Sequence, residues 1–278
     1  PAFSLSHEIQ NEIIRQMKEF TRKLDVIGLV NAQFAIRKNK IFVLEVNPRA
    51  SRTVPFVSKA TGLQLAKIAA KVMIGFSLKD QGYLDQVIPD FYSVKGPVFP
   101  FNKFPDTDPI LGPEMKSTGE VMGTGKTFGE AYIKSQYAAG IHIPENGKVF
   151  ISVREPDKNH KLIELGKFLV DQNFEIIATT GTADYLTANN INCKQINKVR
   201  EGSPHIVELI KAKEVELIIN TTEGRQSIQE SFSIIAEAVI SGITYYTSLE
   251  AAHATMSSFN FLGDISVNRL QDYNTKNG

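Results

Sequence analysis

Three oxygen-bearing side chains, those of Gln33, Glu45 and Asn47, could share a metal ion. Two short apolar runs flank a polar turn in this region, and such a pattern predicts a β-hairpin. If the strands pair symmetrically about Asn39, Gln33 lies opposite Glu45. Alternation along a strand then places Asn47 on the same face. Amide and carboxylate oxygens suit magnesium or manganese, which often share their coordination with nucleotide phosphates. The hairpin is therefore a candidate metal site.

Two arginines, Arg49 and Arg52, follow the hairpin directly. Guanidinium groups beside a metal can hold an anionic substrate or a phosphoryl group during its transfer. The alternative is that Glu45 and Arg49 form a structural ion pair at the rim of the sheet, because such pairs are common. On residue types alone, both interpretations stay open.

A second group of polar side chains lies at predicted strand ends in the second half of the chain. Backbone N–H groups and hydroxyls at a helix N-terminus can bind a phosphate, and nearby lysines add positive charge. For each residue alone, a helix cap or a surface group is the simpler interpretation. Together they converge on one sheet edge, where parallel sheets bind ligands. The candidate binding residues are Ser152, Lys158, Thr179, Thr182, Lys198, Asn220 and Thr222.

The elements that position these residues differ between the two halves of the chain. The first half predicts a helix capped by Ser6, then the hairpin, then a helix over Thr61–Ile74. The proline-rich residues 80–140 predict loops and short elements. From residue 141 onward strands alternate with helices, which predicts a parallel sheet covered on both faces. The predicted strands are 149–153, 174–178, 215–220 and 244–248, with a short one before Lys198; the predicted helices are 159–172, 183–189, 204–212 and 227–241. We therefore expect two α/β domains, 1–140 and 141–278.

The composition argues against several classes of protein. The chain has 31 basic and 30 acidic residues, so it lacks the basic excess of a duplex-binding protein. No apolar run approaches the roughly 18 residues that would span a membrane. The single cysteine, Cys193, permits no internal disulfide and is expected to be a small core or strand residue. Because the sequence starts without Met or a signal peptide, we interpret it as part of a longer cytoplasmic protein.

Long motifs in the chain resemble the large subunit of the carbamoyl-phosphate synthetase family. Residues 44–62 are similar to the end of its second ATP-grasp domain, and from Gly147 onward the chain resembles the methylglyoxal-synthase-like domain that ends the subunit. Further similar motifs are Tyr92–Lys95, Pro100–Phe104 and Ser117–Gly123. The implied fold class is α/β: the C-terminal part of an ATP-grasp domain followed by a Rossmann-like parallel sheet.

The resemblance implies the synthesis of carbamoyl phosphate from bicarbonate, glutamine-derived ammonia and two ATP, for pyrimidine and arginine biosynthesis. This half of the subunit would phosphorylate carbamate. Gln33, Glu45 and Asn47 match residues around the Mg²⁺ or Mn²⁺ ions of the family, and Arg49 and Arg52 match arginines of the same active site. Implied partners are the glutaminase small subunit, the remainder of the large subunit and further heterodimers in a higher oligomer. The fragment alone is expected to be inactive.

The second domain is expected to bind a regulatory nucleotide, because six of its residues match those that bind uridine or inosine monophosphate in the family. These residues are Lys158, Thr179, Thr182, Lys198, Asn220 and Thr222. One alternative is a methylglyoxal-synthase-type lyase, but residues 200–205 and 220–225 lack its catalytic aspartates. Glu201 or Glu223 would hold a carboxylate displaced by one methylene, and His205 is expected to start a helix. A free-standing nucleotide-binding regulator is the other alternative.

An ornithine-type site is also implied, at Tyr245 and Thr247. In the family this site uses an acidic residue directly after Tyr-Ser-Val-Lys, where this chain has Gly96. The substitution removes one anionic partner for the ammonium groups of ornithine.

Overall fold

Helix α1 (His7–Lys23) begins at its predicted cap, because the Ser6 hydroxyl accepts a hydrogen bond from the backbone N–H of Ile9. The computed structural model describes residues 2–104, 107, 109–112, 114–222, 225–263 and 265–274, without the side chains of Asn102, 225–230 and Asn274. Contacts divide the chain into two compact units, Pro1–Asp90 with Val267–Gly278, and Phe91–Ser266. The domain boundary predicted near residue 140 rests on the start of alternating strands and helices in the sequence, and it stays a prediction.

The predicted hairpin is formed by β1 (Asn31–Arg37) and β2 (Lys40–Asn47), which pair antiparallel. The predicted polar turn between them has two residues. Lys38 and Asn39 have φ values of 48° and 62°, the left-handed conformation that a two-residue type I′ turn requires at both positions. This turn matches the natural twist of the strands.

A β-bulge then restores the predicted pairing of Gln33. A two-residue turn alone would place Gln33 opposite Leu44, because Phe34 pairs with Val43. The register shifts between Phe34 and Gln33, so that Gln33 pairs with Glu45 and Leu44 is the extra residue. The predicted pair is therefore confirmed, but a bulge rather than a symmetric turn produces it.

Two short helices follow the hairpin, α2 (Thr53–Thr61) and α3 (Leu65–Met73). The single helix predicted over Thr61–Ile74 is therefore wrong at its start. Gly62 ends α2 with a φ of 74°, a conformation that glycine adopts without steric cost. A short helix, Leu270–Asn274, also belongs to this first unit. The buried apolar residues described in the unit are Ile9, Ala60, Ile68 and Ala69.

Residues 91–140 form regular structure that the proline spacing did not predict. Strands β3 (Tyr92–Val98) and β4 (Gly119–Gly125) pair antiparallel, and α4 (Phe128–Ala138) packs on them. A Cβ atom at Gly123 would collide with the carbonyl oxygen of Ala131 in α4. The strand and the helix thus approach backbone to backbone, and glycine allows this while weakening the hydrophobic periodicity of the strand.

The predicted parallel sheet is confirmed and has five strands. In spatial order they are β7 (Lys194–Ile196), β6 (Phe174–Thr179), β5 (Gly147–Ser152), β8 (Leu217–Asn220) and β9 (Thr244–Tyr246). The chain moves from β5 outward to β6 and β7 and then returns to the other side of β5. Cys193 directly precedes β7 and packs against the core, and burial raises the pKa of its thiol to about 11.

Helices cover both faces of this sheet. Core residues of α5 (His160–Asp171), α6 (Thr180–Ala188) and α9 (Leu249–Met256) pack on one face; those of α7 (Ile206–Lys211) and α8 (Arg225–Ser241) pack on the other. Helix α9 was not predicted. Strands are added on one side of β5 as far as β7 and then on its other side from β8, so a crevice is expected at the carboxyl ends of β5 and β8. Among the described helices, none has the length and apolar character needed to cross a membrane.

Candidate functional site

Three polar residues end neighbouring strands and face the same side of the sheet. Ser152 ends β5, Thr179 ends β6 and Asn220 ends β8. Each follows by two positions an apolar residue of the core cluster under α7 and α8, so alternation turns all three toward that face. The hydroxyls of Ser152 and Thr179 are hydrogen-bonded at 3.0 Å, and Ser152 pairs in register with Asn220. A polar row therefore continues the apolar row of Ile177, Phe150 and Ile218.

The N-terminus of α6 opens beside this row. Thr182 lies in the first turn of α6, is 1% exposed, and its hydroxyl accepts a hydrogen bond from the backbone N–H of Val153 at 3.2 Å. A Cβ atom at Gly181 would lie 3.0 Å from the Lys158 ammonium. The ammonium therefore lies over the helix N-terminus, where the N–H groups already favour an anion.

Both predicted lysines lie beside carboxylates. Lys158 Nζ pairs with Glu155 Oε2 at 2.6 Å, and the Lys158 side chain is largely buried while that of Glu155 is 83% exposed. The backbone N–H of Lys198 donates to Glu201 Oε2 at 2.8 Å. An ammonium group has three N–H donors, so Lys158 can bind a phosphate while it stays paired with Glu155.

All the predicted binding residues of this half line a single cavity of about 400 Å³: Ser152, Lys158, Thr179, Thr182, Lys198, Asn220 and Thr222. The structure thus brings together residues from five separate chain segments. Further residues that were not among the seven candidates also line this cavity, among them Gly181, Thr221 and Ser231. Thr221 follows a predicted strand-end residue and could have been found by the same reasoning. Ser231 lies inside a helix, where no sequence pattern distinguishes it.

Close to this cavity, Asp157 is held in an ion pair. Arg154 Nε lies 2.7 Å from Asp157 Oδ2, and the Arg154 backbone N–H donates to the Thr221 hydroxyl at 3.1 Å. Burial would raise the pKa of Asp157, but hydrogen bonds from Arg154 and Thr221 outweigh that effect and lower it. The carboxylate therefore stays ionised and poorly suited to accept a proton.

The described residues that were considered for a lyase, Glu201 and His205, have structural contacts. Glu201 accepts the backbone hydrogen bond of Lys198, and His205 is the N-cap of α7. Glu223 lies outside the described residues. Neither Glu201 nor His205 lines the cavity.

The predicted metal ligands share one face of the hairpin. Gln33 pairs directly with Glu45, and Asn47 lies two residues further along β2, opposite Asn31. Gln33 and Glu45 are exposed and Asn47 is half-buried. Among the described residues, no group of three His, Cys, Asp or Glu side chains could hold a metal ion. In the predicted set, Glu45 supplies the one carboxylate and Gln33 and Asn47 supply amide oxygens. Oxygen donors of this kind fit a magnesium ion that takes further ligands from phosphates and water.

Arg49 and Arg52 follow this face, and both side chains are exposed. Arg49 Nη1 donates to the carbonyl of Ala50 at 3.0 Å, and Arg52 is the residue before α2. In the part of the chain that the structure describes, no ion pair joins Glu45 to Arg49. The alternative of a structural ion pair at the sheet rim is therefore not observed.

Tyr245 and Thr247 line a second cavity, of about 520 Å³, which shares Asn220, Thr222 and Ser231 with the first. Burial raises the pKa of the Tyr245 phenol, so this group is a neutral hydrogen-bonding partner. Among the described residues, no acidic side chain lines this second cavity.

Gly96 lies buried in β3, and a Cβ atom there would contact Val121 at 3.2 Å. A longer side chain at this position would enter the packing between β3 and α4, because the next nearest atoms belong to Ser135.

Comparison with known proteins places both parts of the chain. Residues 1–81 match the family model of the carbamoyl-phosphate synthase L chain, ATP binding domain, and residues 161–247 match that of the MGS-like domain. The carbamoyl phosphate synthase large chain of Pseudomonas putida is 52% identical over 272 residues, which is 98% of this chain and 25% of that protein. The large chain of Vibrio parahaemolyticus is 49% identical over 276 residues, or 99% and 26%.

The chain thus spans about a quarter of the length of these relatives. It combines the fold class expected from the sequence with two matched family models and about 50% identity along nearly its whole length. Along nearly its whole length, the chain is therefore similar to about a quarter of a carbamoyl phosphate synthase large chain.

Proposed function

We propose that the 400 Å³ cavity binds a nucleoside monophosphate effector, uridine or inosine monophosphate, and catalyses no reaction. The observation that carries the proposal is the convergence of all seven predicted residues on this cavity. The Lys158 ammonium over the N-terminus of α6 supplies the charge and N–H donors for a phosphate dianion. The volume is that of an ordinary small-molecule site.

A binding role is favoured over a lyase because the nearby carboxylates are engaged. Glu155 pairs with Lys158, Asp157 pairs with Arg154, and Glu201 accepts a backbone hydrogen bond. A general base needs a carboxylate that can reach and accept the substrate proton. Release of methylglyoxal from dihydroxyacetone phosphate by the chain would support the lyase instead.

Calorimetric titration of the chain with uridine and inosine monophosphates tests the proposal. A charged hydrogen bond contributes about 1.5–3 kcal/mol, so Lys198→Ala is expected to weaken binding roughly ten- to a hundredfold. Added salt is expected to weaken binding of the wild type as well, since exposed charges are screened. Lys194→Ala is the control, because Lys194 pairs with Glu175 and does not line the cavity. No binding at millimolar nucleotide, or equal effects of the two variants, would contradict the proposal.

We further propose that the hairpin belongs to the site that phosphorylates carbamate in the complete large chain. ATP would be the substrate, and Gln33, Glu45 and Asn47 would hold the Mg²⁺ or Mn²⁺ ions that bind its phosphates. Arg49 and Arg52 would hold the anionic groups in transfer. The complete cytoplasmic enzyme would work with a glutaminase small subunit, as an oligomer of heterodimers, in pyrimidine and arginine biosynthesis.

A further inference from the structure

Ser231 contributes a buried hydroxyl to the wall between the two cavities. It lies on α8, lines both cavities and is 3% exposed. Its Oγ accepts a hydrogen bond from Asn220 Nδ2 at 2.9 Å, and Asn220 is itself 4% exposed. A buried hydrogen bond between two nearly inaccessible side chains fixes the orientation of both.

The bond determines which atom Asn220 presents to a ligand. Because one N–H of the Nδ2 group is engaged with Ser231, the nitrogen side of the amide is held toward α8 and the carbonyl oxygen Oδ1 lies on the opposite side of the amide. Among the described residues, no group donates a hydrogen bond to Oδ1. Oδ1 is also not among the fully buried polar atoms that lack a partner. The oxygen therefore opens into the cavity that Asn220 lines.

An acceptor at this place cannot serve a phosphate, which offers acceptor oxygens of its own. Asn220 ends β8, two strands away from Thr179 on β6. Two strand spacings are about 10 Å, so a phosphate at the N-terminus of α6 leaves room for further ligand groups before Asn220. The oxygen at Asn220 suits a hydroxyl or N–H donor on those groups.

We propose that Ser231 is a positioning residue, which holds the Asn220 amide so that Oδ1 accepts a hydrogen bond from the sugar or base of the ligand. This inference rests on the proposed nucleotide binding. It adds that the two ends of the cavity recognise different parts of the ligand. One end recognises phosphate through Lys158 and α6. The other end recognises the nucleoside through Asn220, and Ser231 sets its orientation without contacting phosphate.

Titration of the chain with a nucleoside monophosphate, and competition by inorganic phosphate, separate the two ends. Ser231→Ala is expected to weaken nucleotide binding about three- to tenfold, the effect of one neutral hydrogen bond. The affinity for inorganic phosphate, measured by competition, is expected to stay within about twofold of the wild-type value. Ser258→Ala is the matched control: this serine is also fully buried, bonds to the carbonyl of Thr255, and lines neither cavity. The control is expected to change neither affinity.

A double-mutant cycle tests whether Ser231 acts through Asn220. In the Asn220→Ala background, Ser231→Ala is expected to cause no further loss. Ser231→Cys is nearly isosteric, and its weak sulfur acceptor is expected to give an intermediate loss even if the alanine variant folds poorly.

Additive losses, an equal loss for phosphate, or an unchanged nucleotide affinity in Ser231→Ala would overturn the positioning role. Failure of the wild type to bind any nucleotide would instead overturn the proposed function on which the role rests.

Discussion

At the scale of single residues, strand alternation places polar side chains in both candidate sites of this chain. Polar side chains are placed by the period of a strand, which repeats every two residues. Glu45 and Asn47 share a face of β2, and Ser152 continues the face of Phe150 at the end of β5. Their chemistry differs because the hairpin residues are exposed oxygen donors, whereas the sheet-end residues are hydroxyls and amides that surround a cavity with lysines.

In the complete large chain, Glu45→Gln is expected to depress the carbamate-phosphorylating partial reaction far more than the bicarbonate-dependent one. The change removes the single carboxylate among the proposed metal ligands of the hairpin, and metal clamping of the phosphates would depend on it. Asn47→Asp, which adds a charge, is expected to act in the same direction. Measurement of both partial reactions checks this. The control is Glu19→Gln, because Glu19 is an exposed residue of α1 that pairs with Arg15. Equal loss in the two reactions would indicate a folding defect.

At the scale of elements, the layer of β3, β4 and α4 belongs to the same compact unit as the parallel sheet. Glycine allows close packing on both sides of α4. Gly123 faces the helix from β4, and a Cβ atom at Gly129 would collide with the carbonyl oxygen of Ser257. Tyr132 and Gln136 of α4 line the second cavity. The layer is therefore part of the wall of a cavity.

Gly123→Ala is expected to lower the free energy of unfolding by about 1–3 kcal/mol, the usual cost of overpacking. The added methyl group would collide with the α4 backbone at Ala131 and Ser135, which cannot rotate away as a side chain can. Gly119→Ala is the control on the same strand, because its Cβ atom would meet Val98 at an ordinary 3.7 Å. Urea unfolding of both variants checks this. Similar stabilities would show that α4 moves freely.

At the scale of the whole molecule, the first compact unit leaves much apolar surface uncovered. Phe42, Val43 and Leu44 of the hairpin are 48%, 43% and 63% exposed. Consecutive strand residues point to opposite faces, so apolar side chains are exposed on both faces of the hairpin. The chain spans about a quarter of its relatives, which supports the proposal that further parts of a large chain complete the synthetase site.

The chain alone is therefore expected to make no carbamoyl phosphate from ATP and carbamate. The hairpin ligands by themselves cannot align the nucleotide and the second substrate, and alignment provides much of the rate enhancement. An assay of ATP-dependent carbamoyl phosphate formation checks this, with Glu45→Ala as the background. Activity clearly above that of the variant would contradict the proposal that the site is incomplete.

The sequence by itself determined the alternating strands and helices of the second half, the all-parallel sheet and seven cavity residues that lie at the strand ends or shortly after them. These follow from hydrophobic periodicity and from the rule that parallel strands present their carboxyl ends at one edge. It also determined the pairing of Gln33 with Glu45, although the two-residue length of the turn and the bulge behind that pairing were not predicted.

The tertiary structure decided what no local pattern contains. The β3–β4–α4 layer was missed because its close contacts are made by glycines, which carry no hydrophobic signal. The hydrogen bond from Asn220 to Ser231 joins a strand end to the middle of a helix eleven residues later. Only the packing of α8 on the sheet brings these two side chains together, because the sequence period of a helix says which residues share a face but not which residues of another element they meet.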